Sequence, residues 1–253
     1  MKITFLGTGT SQGIPVIGCE CEVCQSLDYR DKRLRTSIHI EINNKDFVID
    51  TGPDFRQQVL REGIKKLDAV IFTHGHKDHT AGLDDVRAFN YFQQKAMPVY
   101  GTLSVHEQLK REFNYAFAEK KYPGIPQIDL IEITEDNFLA EGIDVITLPV
   151  LHYKLPVLGF RFGDFSYITD ANHIPESTLK KLEGTKILVL NALQKESHIS
   201  HFTFDEAISV AKRVNAEMTY FIHMSHRLGL HKKVEGQLPD NIKLAYDGLQ
   251  LSM

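Results

Sequence analysis

Apolar positions along this chain keep two rhythms. In Ser37-Ile38-His39-Ile40-Glu41-Ile42 they alternate with polar ones, the period of a strand with one buried face. In Phe204, Ala207, Ile208 and Ala211 they recur at three and four, the period of a helix. The first rhythm and short apolar runs predict strands at Lys2–Leu6, Ser37–Ile42, Asp46–Ile49, Ala69–Phe72, Val145–Leu148, Leu158–Phe162, Phe165–Thr169, Ile187–Leu190, Thr219–Ile222 and Leu249–Leu251. The second predicts helices over Phe55–Glu62, Leu83–Phe92, Ser104–Phe117, Glu176–Leu182 and Thr203–Val214. Gly163-Asp164 and Asp247-Gly248 are expected hairpin turns. No linker, repeat or low-complexity stretch interrupts the series, so one domain over residues 1–253 is expected. Two halves, each of strands followed by helices, suggest packed sheets with helices outside, an α/β class.

Ionisable residues follow several of these strands directly. After Ala69–Phe72 comes Thr73-His74-Gly75-His76-Lys77-Asp78-His79, which places four potential metal ligands in six residues. Histidines two apart on a turn can clasp one ion, the following Asp and His can face a second, and Gly75 is expected where the backbone bends tightly. No packing purpose accounts for three imidazoles and a carboxylate together. His152, Asp170 and His223 also follow predicted strands, and strand tips can converge on one rim.

The string His74 to His79 resembles the His-x-His-x-Asp-His motif of the metallo-β-lactamase superfamily. That resemblance implies a metallo-β-lactamase-type αβ/βα four-layer sandwich. It also implies a ligand set: His74, His76 and His152 for one metal, Asp78, His79 and His223 for the other, and Asp170 between them. Two divalent ions roughly 3.5–4 Å apart share a water, lower its pKa and stabilise charge on a phosphoryl group. His/Asp ligation accommodates zinc, manganese and iron alike. His39, alternating with Ile38 and Ile40, His106, on a predicted helix, and His231, in a polar loop, are expected to have no such role.

Cys19-Glu20-Cys21-Glu22-Val23-Cys24 holds all three cysteines, three thiolates of the four ligands that a structural zinc needs; His226, three residues beyond His223, is the candidate fourth. The pairing of this cluster with His223-Met224-Ser225-His226 narrows the resemblance. With Gly7-Thr8-Gly9-Thr10-Ser11-Gln12-Gly13-Ile14-Pro15, His152-Tyr153-Lys154-Leu155, Thr169-Asp170 and Tyr246-Asp247-Gly248, it is similar to the phosphoribosyl cyclic phosphodiesterase branch. The implied function is hydrolysis of a phosphodiester, with a small cyclic phosphoribosyl-type substrate. Asp78 would orient the attacking hydroxide between the ions, and His201 matches the family's general acid, with His198 open as the alternative. Lys154 and Arg227 are assigned no role. The opening glycines Gly7, Gly9 and Gly13 do not fit Gly-x-Gly-x-x-Gly, so no dinucleotide site is expected.

Three other readings stay open. An endonuclease resembling the tRNA 3′-processing branch would need a basic arm, whereas Arg111–Asp129 carries Lys120 and Lys121 without a dense basic run. The quinone-cofactor biosynthesis protein of the superfamily has a similar cysteine cluster. A metal-stabilised scaffold without activity would not need a complete ligand set.

Composition adds limits. The 253 residues are 42% hydrophobic and 25% charged, ample for a buried core. A net charge of -4, from 29 basic and 33 acidic side chains, gives no general attraction to nucleic acid or an anionic membrane. Clustering of the three cysteines excludes a disulfide framework spread over the fold. The first seven residues make too short an apolar run for a signal peptide, and no later run reaches the ~20 apolar residues of a membrane span. A cytoplasmic location is therefore expected, with a small-molecule substrate as partner, two divalent ions and one structural zinc as cofactors, and a homodimer left open.

Overall fold

Period-2 alternation sends neighbouring side chains of one strand to opposite faces, and here both faces are apolar because each sheet is covered on both sides. In the computed structural model, which describes residues 1–120 and 122–253, the strands are β1 (Lys2–Gly7), β2 (Ser37–Ile42), β3 (Lys45–Ile49), β4 (Ala69–Ile71), β5 (Met97–Gly101), β6 (Ile128–Glu132), β7 (Phe138–Ala140), β8 (Ile143–His152), β9 (Leu155–Phe162), β10 (Phe165–Tyr167), β11 (Ile187–Asn191), β12 (Met218–Ile222), β13 (Ile242–Leu244) and β14 (Gln250–Ser252). They form two seven-stranded sheets, ordered β14-β1-β2-β3-β4-β5-β6 and β13-β12-β11-β10-β9-β8-β7. The helices are α1 (Glu22–Gln25), α2 (Phe55–Glu62), α3 (Lys77–Thr80), α4 (Arg87–Gln93), α5 (Leu103–Glu112), α6 (Asn114–Phe117), α7 (Glu176–Lys181), α8 (Phe204–Val214) and α9 (His231–Glu235).

The alternation can be followed residue by residue. On β3, Phe47 and Ile49 enter the core between the sheets while Val48 joins the outer core under α2, α4 and α5. On β11, Val189 faces the central core and Leu188 and Leu190 face the other outer core, beneath α8. Helix, sheet, sheet and helix thus stack as the four-layer sandwich expected. Helix α8 begins with a capping box: the Thr203 hydroxyl accepts from Glu206 N while Glu206 accepts from Thr203 N.

The expected hairpin at Gly163-Asp164 is present, joining β9 to β10 with Phe162 opposite Phe165. Asp247-Gly248 is also a turn, but it links β13 and β14, which belong to different sheets. It is therefore a crossover between layers and not a hairpin. The opening glycines serve packing: a Cβ on Gly7 would lie 1.9 Å from the Arg35 carbonyl oxygen, and the Gly9 carbonyl accepts from Thr36. Lys120 is exposed, and Lys121, the other lysine considered for a basic arm, lies outside the described residues. Among the described residues, no helix is long and apolar enough to cross a membrane.

Candidate metal centre

The strands β3, β4, β8, β10 and β12 terminate at one rim. Asp50 follows β3, His74 follows β4, His152 ends β8, Asp170 follows β10 beyond Thr169, and His223 follows β12. Asp50, Asp170 and His223 leave their strands with φ of 64°, 55° and 56°. This left-handed backbone is uncommon outside glycine, although Asp, Asn and His tolerate it best. It turns the chain sharply enough to aim each side chain across the gap between the sheets. The two sheets are also tied there, since Leu158 N donates to the Thr73 carbonyl at 3.1 Å.

All seven residues expected from the sequence meet. His74 Nε2 stands 3.0 Å from His76 Nδ1, and the rings of His76 and His152 are 5.2 Å apart. His79 Nε2 lies 3.3 Å from Asp78 Oδ2 and 3.4 Å from Asp170 Oδ1. His223 Nδ1 is 3.2 Å from the same Asp170 oxygen, while Asp170 Oδ2 lies 3.9 Å from His74 Nε2. The carboxylate of Asp170 therefore reaches both halves of the cluster. Donors held at 2.0–2.1 Å by one tetrahedral ion stand about 3.3–3.4 Å apart, so these spacings suit shared cations.

The other ring nitrogens fix which atom faces inward. His79 Nδ1 donates to Asp50 Oδ2 at 2.7 Å, and His152 Nδ1 donates to the Ser200 carbonyl at 2.8 Å. His74 Nδ1 is 3.0 Å from the Thr73 hydroxyl, which itself donates to Asp50 at 2.8 Å, so His74 is the donor of that pair. His223 Nε2 pairs with the Thr10 hydroxyl at 3.2 Å. Each ring then presents its remaining nitrogen to the centre, the orientation that metal-binding imidazoles receive from their outer partners. Buried His79 Nε2 and His223 Nδ1 have no hydrogen-bond partner. Such atoms are expensive unless something beyond the protein satisfies them, so the donor set fits divalent metals.

Charge points the same way. Burial lowers His74 well below its ordinary pKa, with His79 adding to the effect, so the imidazole of His74 is neutral at neutral pH. Burial also opposes a charge on His79, yet Asp170, Asp50 and Asp78 together raise it well above the usual histidine range. Against the same opposition from burial, His223 and His79 hold Asp170 well below the carboxylate range. The centre is thus rich in carboxylate charge and calls for a cation.

His201 sits at the edge of the cluster, buried, with its ring 4.5 Å from that of His152 and 4.8 Å from that of His223. Its Nδ1 is buried without a partner, and burial pushes its pKa down to about 3. His198 is exposed, its ring 5.1 Å from His201 and its Nδ1 turned to Ser200.

The second cluster also assembles. His226 Nδ1 lies 3.2, 3.4 and 3.7 Å from the sulfurs of Cys19, Cys21 and Cys24. Bonds of 2.3 Å to sulfur and 2.0–2.1 Å to nitrogen at a tetrahedral angle would separate such atoms by about 3.5 Å. A backbone N–H from Cys24 lowers the Cys21 thiol to about 6, a thiolate at neutral pH, while burial pushes Cys24 up to about 11.

Asp50, Thr10 and Thr73 also belong to the site, beyond the residues expected from the sequence. Asp50 carried the same signal as the others, a carboxylate directly after a strand. The histidines expected to be uninvolved stay outside the centre: His39 pairs with Asp46 at 3.0 Å and His106 is buried on α5. His231 is not in a polar loop. It opens α9, buried, and its Nδ1 accepts from Arg33 at 2.9 Å.

Residues 45–224 match the model of the beta-lactamase superfamily domain. A solved structure described as a new diphosphatase from the PhnP family is 42% identical, covers 100% of this chain and 97% of its own, and superposes with a TM-score of 0.93. An octanoyltransferase of Porphyromonas gingivalis is 38% identical over 99% of this chain and 51% of its own length. A ribonuclease Z of Methanococcus maripaludis is 25% identical over 64% of this chain and 48% of its own. The chain spans about half the length of these curated relatives.

Proposed function

Because the chain belongs to the metallo-β-lactamase superfamily, in the family of the PhnP diphosphatase, we propose that it is a metal-dependent hydrolase that cleaves a phosphodiester at a two-metal centre. The observation that carries this reading is the position of Asp170, one oxygen toward His74 and the other toward His79 and His223. His74, His76 and His152 would hold one ion, Asp78, His79 and His223 the other, and Asp170 both; Cys19, Cys21, Cys24 and His226 would hold a structural zinc. Zinc or manganese suits the mixed nitrogen and oxygen donors of the centre.

Two divalent ions bound there would supply Lewis acidity toward the phosphoryl oxygens and would acidify a water. The chain's own groups do the rest. Asp78, held below the carboxylate range by His79 against the effect of burial, stays ionised and accepts a hydrogen bond that orients the attacking water. His201, buried with its ring beside those of His152 and His223, would give a proton to the departing oxygen. Since burial leaves it neutral in the free protein, it takes up that proton when a substrate anion beside it raises its affinity.

A small cyclic phosphoribosyl-type ester is the substrate proposed, and the diphosphatase relative adds diphosphates as the next class to try. A cytoplasmic location, where the three thiols would stay reduced, belongs to the same proposal. The test is turnover of a panel of cyclic and linear phosphodiesters, diphosphates, precursor tRNA and an acyl thioester by metal-analysed protein. Phosphodiester turnover that His76→Ala abolishes is expected; cleavage of precursor tRNA alone would transfer the assignment to an endonuclease.

A further inference from the structure

Helix α5 grips the motif between His74 and Asp78 from outside. Gln108 Nε2 donates to the carbonyl of Gly75 and, at 2.9 Å, to Glu112 Oε1. Glu112 Oε1 lies 3.2 Å from Lys77 Nζ. Residues 108 and 112 share one face of the helix, so a single face reaches both Gly75 and Lys77. The helix is itself anchored, because Val105 and Leu109 are buried in the outer core.

The contact also explains a glycine. Gly75 is not among the residues with positive φ, so no left-handed turn demands it, contrary to the expectation of a tight bend. A Cβ there would instead lie 2.3 Å from Gln108 Oε1 and 3.0 Å from Gln108 Cδ. A side chain at this position would displace the amide end of Gln108.

We propose that Gln108 is a positioning residue: by holding the Gly75 carbonyl it sets the 3.0 Å separation between His74 Nε2 and His76 Nδ1 and so prepares that half of the centre for its metal. The proposal rests on the two-metal reading. When both nitrogens offer lone pairs to an ion they repel each other, and the chain joining them is only one residue long. Fixing its carbonyl removes the freedom by which the two rings would otherwise separate before the metal arrives. Gln108 lines a cavity of about 200 Å³ with His76, Ser104 and Leu155, so its replacement does not disturb the sealed core.

Two substitutions reach the contact from opposite sides. Gln108→Met keeps length and apolar stem but has no donor, and Gly75→Ala displaces the amide while leaving it intact. Metal-free protein is titrated with Zn²⁺ against a chromophoric chelator, and the thiolate site is followed separately by its Co²⁺ absorption. Both variants should bind one zinc of the centre about 10–100-fold more weakly, with the thiolate site and thermal melting unchanged. Zinc binding by Gln108→Met as tight as in the wild type would overturn the proposal while leaving the two-metal reading intact. A wild type that takes up zinc only at the thiolate site would remove both.

Discussion

Asp50 Oδ2 lies 2.7 Å from His79 Nδ1, and both groups are buried. The same carboxylate accepts from the Thr73 backbone N–H at 2.9 Å and the Thr73 hydroxyl at 2.8 Å, so its lone pairs orient both His79 and the chain just before His74. An Asn at 50 offers one acceptor where two are needed and points an amide hydrogen at a donor. Asp50→Asn should weaken one metal of the centre about 10–100-fold without touching the thiolate site. Equilibrium zinc binding by the folded variant checks this, and wild-type affinity would mean that the pair is merely structural.

The general-acid assignment makes a different demand. His201→Ala should lower kcat by about 10²–10⁴ on an ester whose alkoxide needs a proton, with metal content unchanged. On a nitrophenyl ester, whose phenolate departs unaided, the loss should be far smaller. His198→Ala should show no such dependence on leaving group, since its ring is exposed and turned to Ser200. The reverse pattern would assign the proton to His198.

Legibility followed burial and spacing. Strands buried on both faces, such as Lys45–Ile49 and Ile187–Asn191, stood out as apolar runs, whereas β6 at the sheet edge reads Ile-Asp-Leu-Ile-Glu and is largely exposed. Met97–Gly101 is not among the predicted strands, and its Pro98 is unusual for an interior strand, yet β5 lies between β4 and β6. The stretch predicted as one helix over Ser104–Phe117 is α5 and α6, divided at Phe113, whose side chain is drawn into the outer core. Metal-type residues were legible because His-x-His-x-Asp-His has little other use. Asp50, Thr10 and Gln108 act through a neighbour's orientation, and residue type alone does not reveal a distance.

Removing the fourth ligand tests the thiolate cluster. The wild type should carry about three metals per chain, by the ligand counts of two shared sites and one closed site. His226→Ala should retain about two, and its thiols should react readily with a thiol reagent. Because the cysteine loop then loses its tie to the segment after β12, melting should also fall. Three slowly reacting thiols in the variant would show that His226 is not a ligand.

Asp247 supplies a pH dependence whose sign is fixed. It accepts from the Thr8 hydroxyl and from Leu34 N, both at 2.8 Å, and from Arg61 at 3.3 Å, yet burial outweighs these and raises its pKa to about 6. In the unfolded chain it titrates near 3.9. Below about pH 4 both states hold the proton and the group is neutral in its effect. Between about 4 and 6 the native state keeps a proton that the unfolded state has released, so stability falls as pH rises. Above the native pKa the burden is complete, about 3 kcal/mol for a shift of roughly two units. Asp247→Asn forfeits one acceptor at every pH but does not titrate. The stability of wild type minus that of the variant, from urea unfolding, cancels the carboxylates and metal ligands that they share, and it should decline across this window. A difference that stays level or climbs would mean that the hydrogen bonds to Thr8 and Leu34 outweigh burial.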